Sequence, residues 1–247
     1  MNNHIAQGGA KITLDNNGER TTVDVYSREG LDLLSNLWIK SAAQHRLMYE
    51  PTWLGRPVIQ FPTDIVAMQE LIWKLRPDVI VETGVAHGGS LVLSASILEL
   101  IGKGKVVGVD IEIRPHNRAA IEAHPLNHRI ELIEGSSVAT DTLAAVHAAV
   151  GSARTVLVML DSNHTESHVL RELELYSPLV TPGSYIVAHD GAQAWVWDIP
   201  DGKREWKDNH PLGAIHKFLA RHAEFSIDSY WTRFGITSSP DGFLKRA

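Results

Sequence analysis

Four carboxylates close four short apolar runs: Glu82 after "VIV", Asp110 after "VVGV", Asp161 after "VLVML" and Asp190 after "YIVAH". A single aspartate in that place is ordinary, because it caps the helix that follows. Four in series point to a site that gathers negative charge and suits an ammonium, a sulfonium or a hard cation. Histidines accompany them. His164 stands three residues after Asp161, His168 four residues further on, and His189 directly before Asp190. His164 and His168 have the spacing of an H-x3-H zinc pair on one helix face. With 13 histidines in the chain that spacing arises by chance, so His168 is read as a partly exposed helix residue or a hydrogen-bonding support to other groups.

Hydrophobic period predicts the elements that must position these groups. The runs "DVIVET", "KVVGVDI", "RIELIEG", "TVLVMLDS" and "GSYIVAHD" are strands, and the four stretches between them have helical spacing. Such alternation makes βαβ units with right-handed crossovers and a parallel sheet covered on both faces. The predicted fold is therefore α/β, a doubly wound Rossmann-like sheet. It is mostly parallel, with a C-terminal antiparallel strand pair from "FSIDSY" and "FLKRA". Residues 1–30 are polar and rich in Gly and Asn, expected as a loose arm or an oligomer contact. Apolar spacing predicts a helix from Leu31 to Tyr49, "EPTWLGRPVIQFPTD" reads as an irregular cover, and Asp64 is expected to cap the helix that stops at Pro77. Residues 1–62 are thus an N-terminal arm and helical cover, and residues 63–247 the α/β domain. No internal repeat or low-complexity segment is present.

Composition narrows the chemistry. The 247 residues, 44% hydrophobic and 21% charged, suit one large domain with an elaborated end. There is no cysteine, which excludes disulfides, thiolate nucleophiles and Cys-ligated metals. A net charge of −6 with dispersed basic residues argues against a nucleic-acid partner. The first residues, "MNNHIAQGGAKITLDNNGER", lack an apolar core of signal-peptide length, and no later run approaches a membrane span. A cytoplasmic protein with no membrane partner is expected.

The turn "ETGVAHGGS" (82–90) departs from the dinucleotide fingerprint G-x-G-x-x-G. Val85 follows Gly84 where the second glycine would admit a pyrophosphate. A carboxylate at the strand end repels pyrophosphate and attracts a cation, while Asp110, closing the next strand, is placed to take both ribose hydroxyls. A cationic adenosyl ligand fits this pattern better than NAD. "VETGVAHGGS", "GVDI", "IEGSS" and "DSNH" resemble, in order, the motifs of class I S-adenosylmethionine-dependent methyltransferases. More narrowly, "PTWLGRPVIQFPTDI", "RPDVIVETG", "LDSNHTESHVLRELELYSPLVTPGSYIVAHD" and "DGFLKR" resemble the cephalosporin hydroxylase/rhamnosyl O-methyltransferase family over roughly residues 30–247.

That resemblance implies an S-adenosylmethionine- and Mg²⁺-dependent O-methyltransferase acting on a hydroxyl of a sugar, oligosaccharide or antibiotic-like small molecule. It implies that Glu82, Gly84 and the backbone through Val85, Ala86, His87 and Gly88 to Ser90 hold the methionine part of the cofactor. Asp110, with Ile111 after it, takes the ribose, and Gly135, Ser136 and Ser137 lie against the adenine. Asp161 matches the first metal carboxylate, bordering the cofactor, and Asp190 the second. His189 departs from the pattern, since many relatives have Glu there. A neutral imidazole can still ligate, but hard Mg²⁺ prefers oxygen, which implies a weaker site or one that accepts Mn²⁺.

Ionising a sugar hydroxyl at pH 7 costs on the order of 8–10 kcal/mol, so a metal and a base are both expected. His164, beside Asp161, is the expected base. In catechol-type relatives the residue three after the first metal aspartate is a catalytic lysine. The other reading of His164 is a helix cap or a hydrogen-bond partner of Asp161. The long segment 191–213 leaves the strand of Asp190 and is expected to cover the acceptor. Its Trp195, Trp197 and Trp206 are either stacking surfaces for a sugar or buried loop anchors. Asp208 and His210 are candidate acceptor contacts, and Trp53 with "LGRP" another wall or a subunit contact. Apolar surface on the arm and cover suggests a homo-oligomer. Two other classes compete. A non-haem iron oxygenase would use His164 or His168, His189 and Asp190 as a two-His-one-carboxylate triad, and a non-catalytic adenosyl-binding subunit would keep the turn without the metal set.

Overall fold

The computed structural model describes residues 9–16 and 19–247. Where a loose arm was expected, β1 (Lys11–Asn16) and β2 (Glu19–Asp24) pair antiparallel, with Thr13 opposite Thr22. Residues 1–8 and 17–18 of that predicted arm lie outside the described residues. The alternation of "KITLD" and "RTTVD" about Asn-Asn-Gly is the local signal for a hairpin. Ser27 then accepts from the Gly30 N–H at 2.9 Å and opens α1 (Arg28–Gln44). A two-residue pair, β3 (Thr52–Trp53) and β4 (Arg56–Pro57), leads into α2 (Pro62–Leu75). Asp64 does not cap α2: Pro62 starts the helix, and the buried Asp64 carboxylate accepts from Thr237 Oγ1 at 2.6 Å and Ser238 N at 2.8 Å.

The remaining elements are β5 (Val79–Thr83), α3 (Gly89–Ile101), β6 (Lys105–Asp110), α4 (Pro115–Glu122), β7 (Ile130–Glu134) and α5 (Thr140–Val150). They continue with β8 (Val156–Leu160), α6 (Glu166–Tyr176), β9 (Tyr185–Ala188), α7 (Gln193–Val196), α8 (Pro211–Leu219), β10 (Phe225–Ile227) and β11 (Phe243–Arg246). Seven strands form one sheet in the order β10-β11-β9-β8-β5-β6-β7. β5 to β9 are mutually parallel, and β11 lies antiparallel between β9 and β10. The chain winds outward from β5 through β6 and β7, then returns to β8 on the other side of β5. The reversal between β5 and β8 is where such sheets bind ligands, at the strands' carboxyl ends.

Every residue of β5 and β8 is buried, because helices cover both faces. Met68, Leu71 and Leu98 of α2 and α3 pack on one face with Ile80, Val106 and Leu157. Leu173 and Phe218 of α6 and α8 pack on the other with Val81, Val107 and Val158. Each such fully buried Leu or Phe contributes about 1.5–3 kcal/mol of transfer free energy. A third apolar cluster joins Ile39 and Ala42 of α1 to Phe61, Ala192 and Val196. It pins the segment 191–213, which contains α7 and a short 3-10 turn (Arg204–Lys207), against the N-terminal cover. Lys40 Nζ to Asp198 Oδ2 at 2.6 Å and Gln44 Nε2 to Asp201 Oδ2 at 2.8 Å tie the same two parts together at the surface. No helix among the described residues is long and apolar enough to cross a membrane.

Candidate active site

A cavity of about 970 Å³ opens at the carboxyl ends of β5 and β8, within the range of small-molecule sites. Its floor is the turn after β5 (Gly84–His87, Gly89, Ser90) and the loop Asp161–Thr165 after β8, with Asp190 at the end of β9. Its walls come from the N-terminal cover (Ile39, Met48, Gln60, Phe61) and from 192–209 (Gln193, Val196, Ile199, Trp206).

The turn is built tightly. Gly84 has φ +93, and a Cβ there would come within 2.0 Å of the Asp161 carbonyl oxygen. The Asp161 N–H donates to Thr83 O at 2.9 Å, so the two loops are stitched side by side. Asp110 Oδ2 accepts from the Val85 and Ala86 N–H groups at 2.8 and 3.2 Å. On the outer side Asn117 Nδ2 donates to Ala86 O at 2.8 Å and Arg56 Nε to His87 O at 2.9 Å. Arg56 is the arginine of "LGRP", expected as a wall or a subunit contact, and it instead clamps the turn together with Asn117, which belongs to no motif. Beneath the turn, Ser90 Oγ donates to Glu82 Oε1, while Glu82 Oε2 is buried without a partner among the described residues. Burial, reinforced by the Asp161 charge and opposed by the Ser90 bond, pushes the Glu82 pKa up to about 8.

Asp161, His164 and Asp190 converge: one ligand atom from each lies within 4.8 Å of the others. His164 Nε2 is 3.1 Å from Asp190 Oδ2 and 3.6 Å from Asp161 Oδ1, and its Nδ1 is 2.8 Å from Gln193 Nε2. Burial lowers the His164 pKa, but Asp190 and Asp161 outweigh it and hold it at about 9. Two carboxylates and an imidazole at this spacing fit one divalent cation. Asp190 takes a left-handed backbone, φ +58, a strain that sites tolerate when the surroundings fix it.

His189, expected as a metal ligand, is not in the cluster. It lies 3% exposed with Nδ1 3.0 Å from Ser239 Oγ and its Nε2 unpartnered. Successive residues leaving a strand face opposite sides, so the chain that aims Asp190 at Asp161 turns His189 away. His168 is also outside: its Nε2 is 3.2 Å from both Ser137 Oγ and Ser162 Oγ, beside the buried Glu172. The cluster therefore holds one histidine, and the two-His-one-carboxylate triad of the oxygenase reading is not assembled.

Seven expected cofactor residues stand outside the cavity lining: Glu82, buried beneath the turn, Gly88, and five at the strand ends. Asp110, Ile111 (74% exposed) and Gly135, Ser136 and Ser137 occupy the ends of β6 and β7 next to the turn, on the open edge of the sheet. A Cβ on Gly88 would press into Ile121. Of the tryptophans, Trp206 lines the cavity with Lys203 Nζ 5.5 Å above its ring. Trp195 packs in the third apolar cluster, and Trp197 lies under Lys207 away from the lining. Trp53 is an anchor on α3, donating to Ser96 Oγ at 3.0 Å. His210 caps α8 by accepting from Gly213 N at 3.1 Å, and neither it nor Asp208 lines the cavity.

The sheet order and the cavity at the reversal between β5 and β8 define a doubly wound, Rossmann-like α/β domain. The fold matches a CmcI structure described as a complex with Mg and SAM, at TM-score 0.56 and 19% identity over 81% of this chain and 77% of that one. It also matches the O-methyltransferase from Bacillus cereus in complex with SAH, at TM-score 0.51 and 19% identity, covering 79% and 81%. The family model "Rhamnosyl O-methyltransferase/CmcI" matches residues 45–247. A rhamnosyl O-methyltransferase of Mycobacterium leprae is 30% identical over 208 residues, 79% of this chain and 82% of the relative. One from Mycobacterium bovis is 28% identical over 209 residues, 79% and 78%. The chain belongs to the rhamnosyl O-methyltransferase/CmcI family.

Proposed function

We propose that this chain, an S-adenosylmethionine-dependent O-methyltransferase by family, uses a divalent cation to methylate a hydroxyl of a sugar or a glycosylated small molecule. The observation that carries the reading is the convergence of Asp161, His164 and Asp190 in the cavity floored by the 84–90 turn. The Asp161 and Asp190 carboxylates suit the cation, and the buried Glu82 Oε2, without a partner among the described residues, suits the ammonium of the cofactor's amino-acid end. When bound, the sulfonium supplies an activated methyl group and the cation lowers the pKa of the acceptor hydroxyl.

The chain's own residues supply the rest. Asp161 and Asp190 hold the cation. In the ligand-free protein His164 Nε2, which faces them, keeps a proton: burial lowers its pKa, but the two carboxylates hold it at about 9. With those carboxylates neutralised by a bound cation, His164 releases that proton and Nε2 is free to accept the hydroxyl proton. For that, Nε2 must carry a lone pair and Nδ1 the hydrogen. Turning the Gln193 amide, whose Oε1 is otherwise buried and unpartnered, sets that oxygen against Nδ1–H and fixes the required tautomer. Asp110, Ile111 and Gly135–Ser137 extend the cofactor site along the strand ends, Asp110 also bracing the turn. Residues 39–61 and 192–209 form the acceptor side, where Phe61, Val196, Ile199 and Trp206 exclude water.

Calorimetric titration with S-adenosylmethionine, with and without Mg²⁺ and beside NAD⁺, tests this. Micromolar binding of the sulfonium and none of NAD⁺ is expected. Absence of adenosyl binding in both conditions refutes the reading.

A further inference from the structure

Gln60 lies in the segment between β4 and α2, lines the cavity, and is 3% exposed. Both its Oε1 and its Nε2 are buried without a hydrogen-bond partner among the described residues. Native proteins pair nearly all such atoms, so a doubly unpartnered buried amide calls for a partner that the chain does not supply. We infer that Gln60 recognises the zwitterionic amino-acid end of the cofactor, an inference that rests on the methyltransferase reading above.

Position and chemistry both favour that ligand group. The segment bearing Gln60 is laid directly on the start of α3: a Cβ on Gly89 would sit 2.0 Å from Pro57 O and 2.7 Å from Val58 Cγ2. Gln60, two residues beyond Val58, lines the same cavity as Gly89 and Ser90, where α3 presents its first backbone N–H groups, which attract a carboxylate. Glu82 Oε2, behind Ser90 of the same turn, is a second buried acceptor without a partner and attracts an ammonium. An amide completes this set, since its oxygen accepts from an ammonium and its NH₂ donates to a carboxylate. A pair of sugar hydroxyls satisfies both atoms as well; what favours the amino-acid end is that Gln60 shares the cavity lining with Gly89 and Ser90. On its other side Phe61 packs into the third apolar cluster, which fixes the segment between cofactor turn and cover.

The test compares S-adenosylhomocysteine with 5′-methylthioadenosine, which keeps the nucleoside and sulfur but lacks the amino-acid end. Both are titrated calorimetrically into the wild-type protein and into Gln60→Leu, an apolar change of similar size. The variant is expected to bind S-adenosylhomocysteine about ten- to a hundredfold more weakly and 5′-methylthioadenosine within about twofold of wild type, as for hydrogen bonds to charged groups. Its ligand-free melting temperature should be equal or higher, because an unpaired buried amide has been removed. Equal weakening of both ligands, no weakening of either, or a lowered ligand-free melting temperature would overturn the inference. Failure of the wild type to bind either compound would instead refute the methyltransferase reading itself.

Discussion

Glu82 places an acid in the middle of the sheet, and its titration is the sharpest quantity the site offers. It is the penultimate residue of β5, between β6 and β8, and is 1% exposed. Burial first, with the Asp161 charge adding and the Ser90 bond opposing, moves its pKa from 4.5 to about 8. The folded state therefore keeps a proton that the unfolded chain releases above pH 4.5. A raised folded pKa means that the group's contribution is fully present below about pH 4.5 and is lost as the pH rises to about 8. Integrated between about pH 5 and pH 9, the loss is on the order of 4 kcal/mol. Glu82→Gln keeps an acceptor for Ser90 and has nothing to ionise. Urea unfolding of the ligand-free wild type and variant at pH 5, 7 and 9 should show the variant gaining in relative stability by that amount. A stability gap that stays constant across the three pH values would refute the reasoning, because it would mean that Glu82 ionises in the fold as readily as in water. The same proton should leave when the cofactor's ammonium arrives. Wild-type binding of S-adenosylhomocysteine at pH 7 should then release up to one proton, read from binding heats in buffers of different ionisation enthalpy, and Glu82→Gln should release less.

Gly84→Ala combines a left-handed φ with a Cβ 2.0 Å from the Asp161 carbonyl, so it should cost roughly 3 kcal/mol or more, seen as a large drop in melting temperature or loss of soluble protein. Asp161→Asn should weaken Mn²⁺ binding, followed by paramagnetic resonance, by at least about tenfold while S-adenosylhomocysteine affinity stays within about threefold. His189→Gln should lower the melting temperature through the lost Ser239 contact yet leave the Mn²⁺ dissociation constant within about twofold, and a tenfold loss would restore His189 as a ligand. Lys40→Ala breaks a surface pair whose side chains are 30% and 41% exposed, so unfolding should change by no more than about 1 kcal/mol.

The doubly wound core was legible from the chain because each of its elements declares itself within a few residues. Five apolar runs of strand length, helical spacing between them, and an acidic residue at four strand ends are local facts, and burial on both faces of β5 and β8 leaves little room for any other pattern. The hairpin β1–β2 is equally local, its period-2 alternation around Asn-Asn-Gly outweighing the polar composition that argues for a loose arm. The site's membership was not local. His189 adjoins Asp190 in sequence, yet the left-handed Asp190 and the Ser239 bond separate their side chains. His164 instead meets both carboxylates across two loops. Asp64 reads as a helix cap until the segment 237–238, brought in from the far end of the chain, claims its carboxylate. Nothing local to Gln193, Arg56 or Asn117 shows what each does, since their partners lie tens of residues away, and the unpartnered amide of Gln60 becomes visible only when the cavity is assembled. Periodicity is set by neighbours three or four residues apart and so can be read from one sequence. Which side chains share a cavity is set by how distant segments close over the sheet, and only the folded chain decides that.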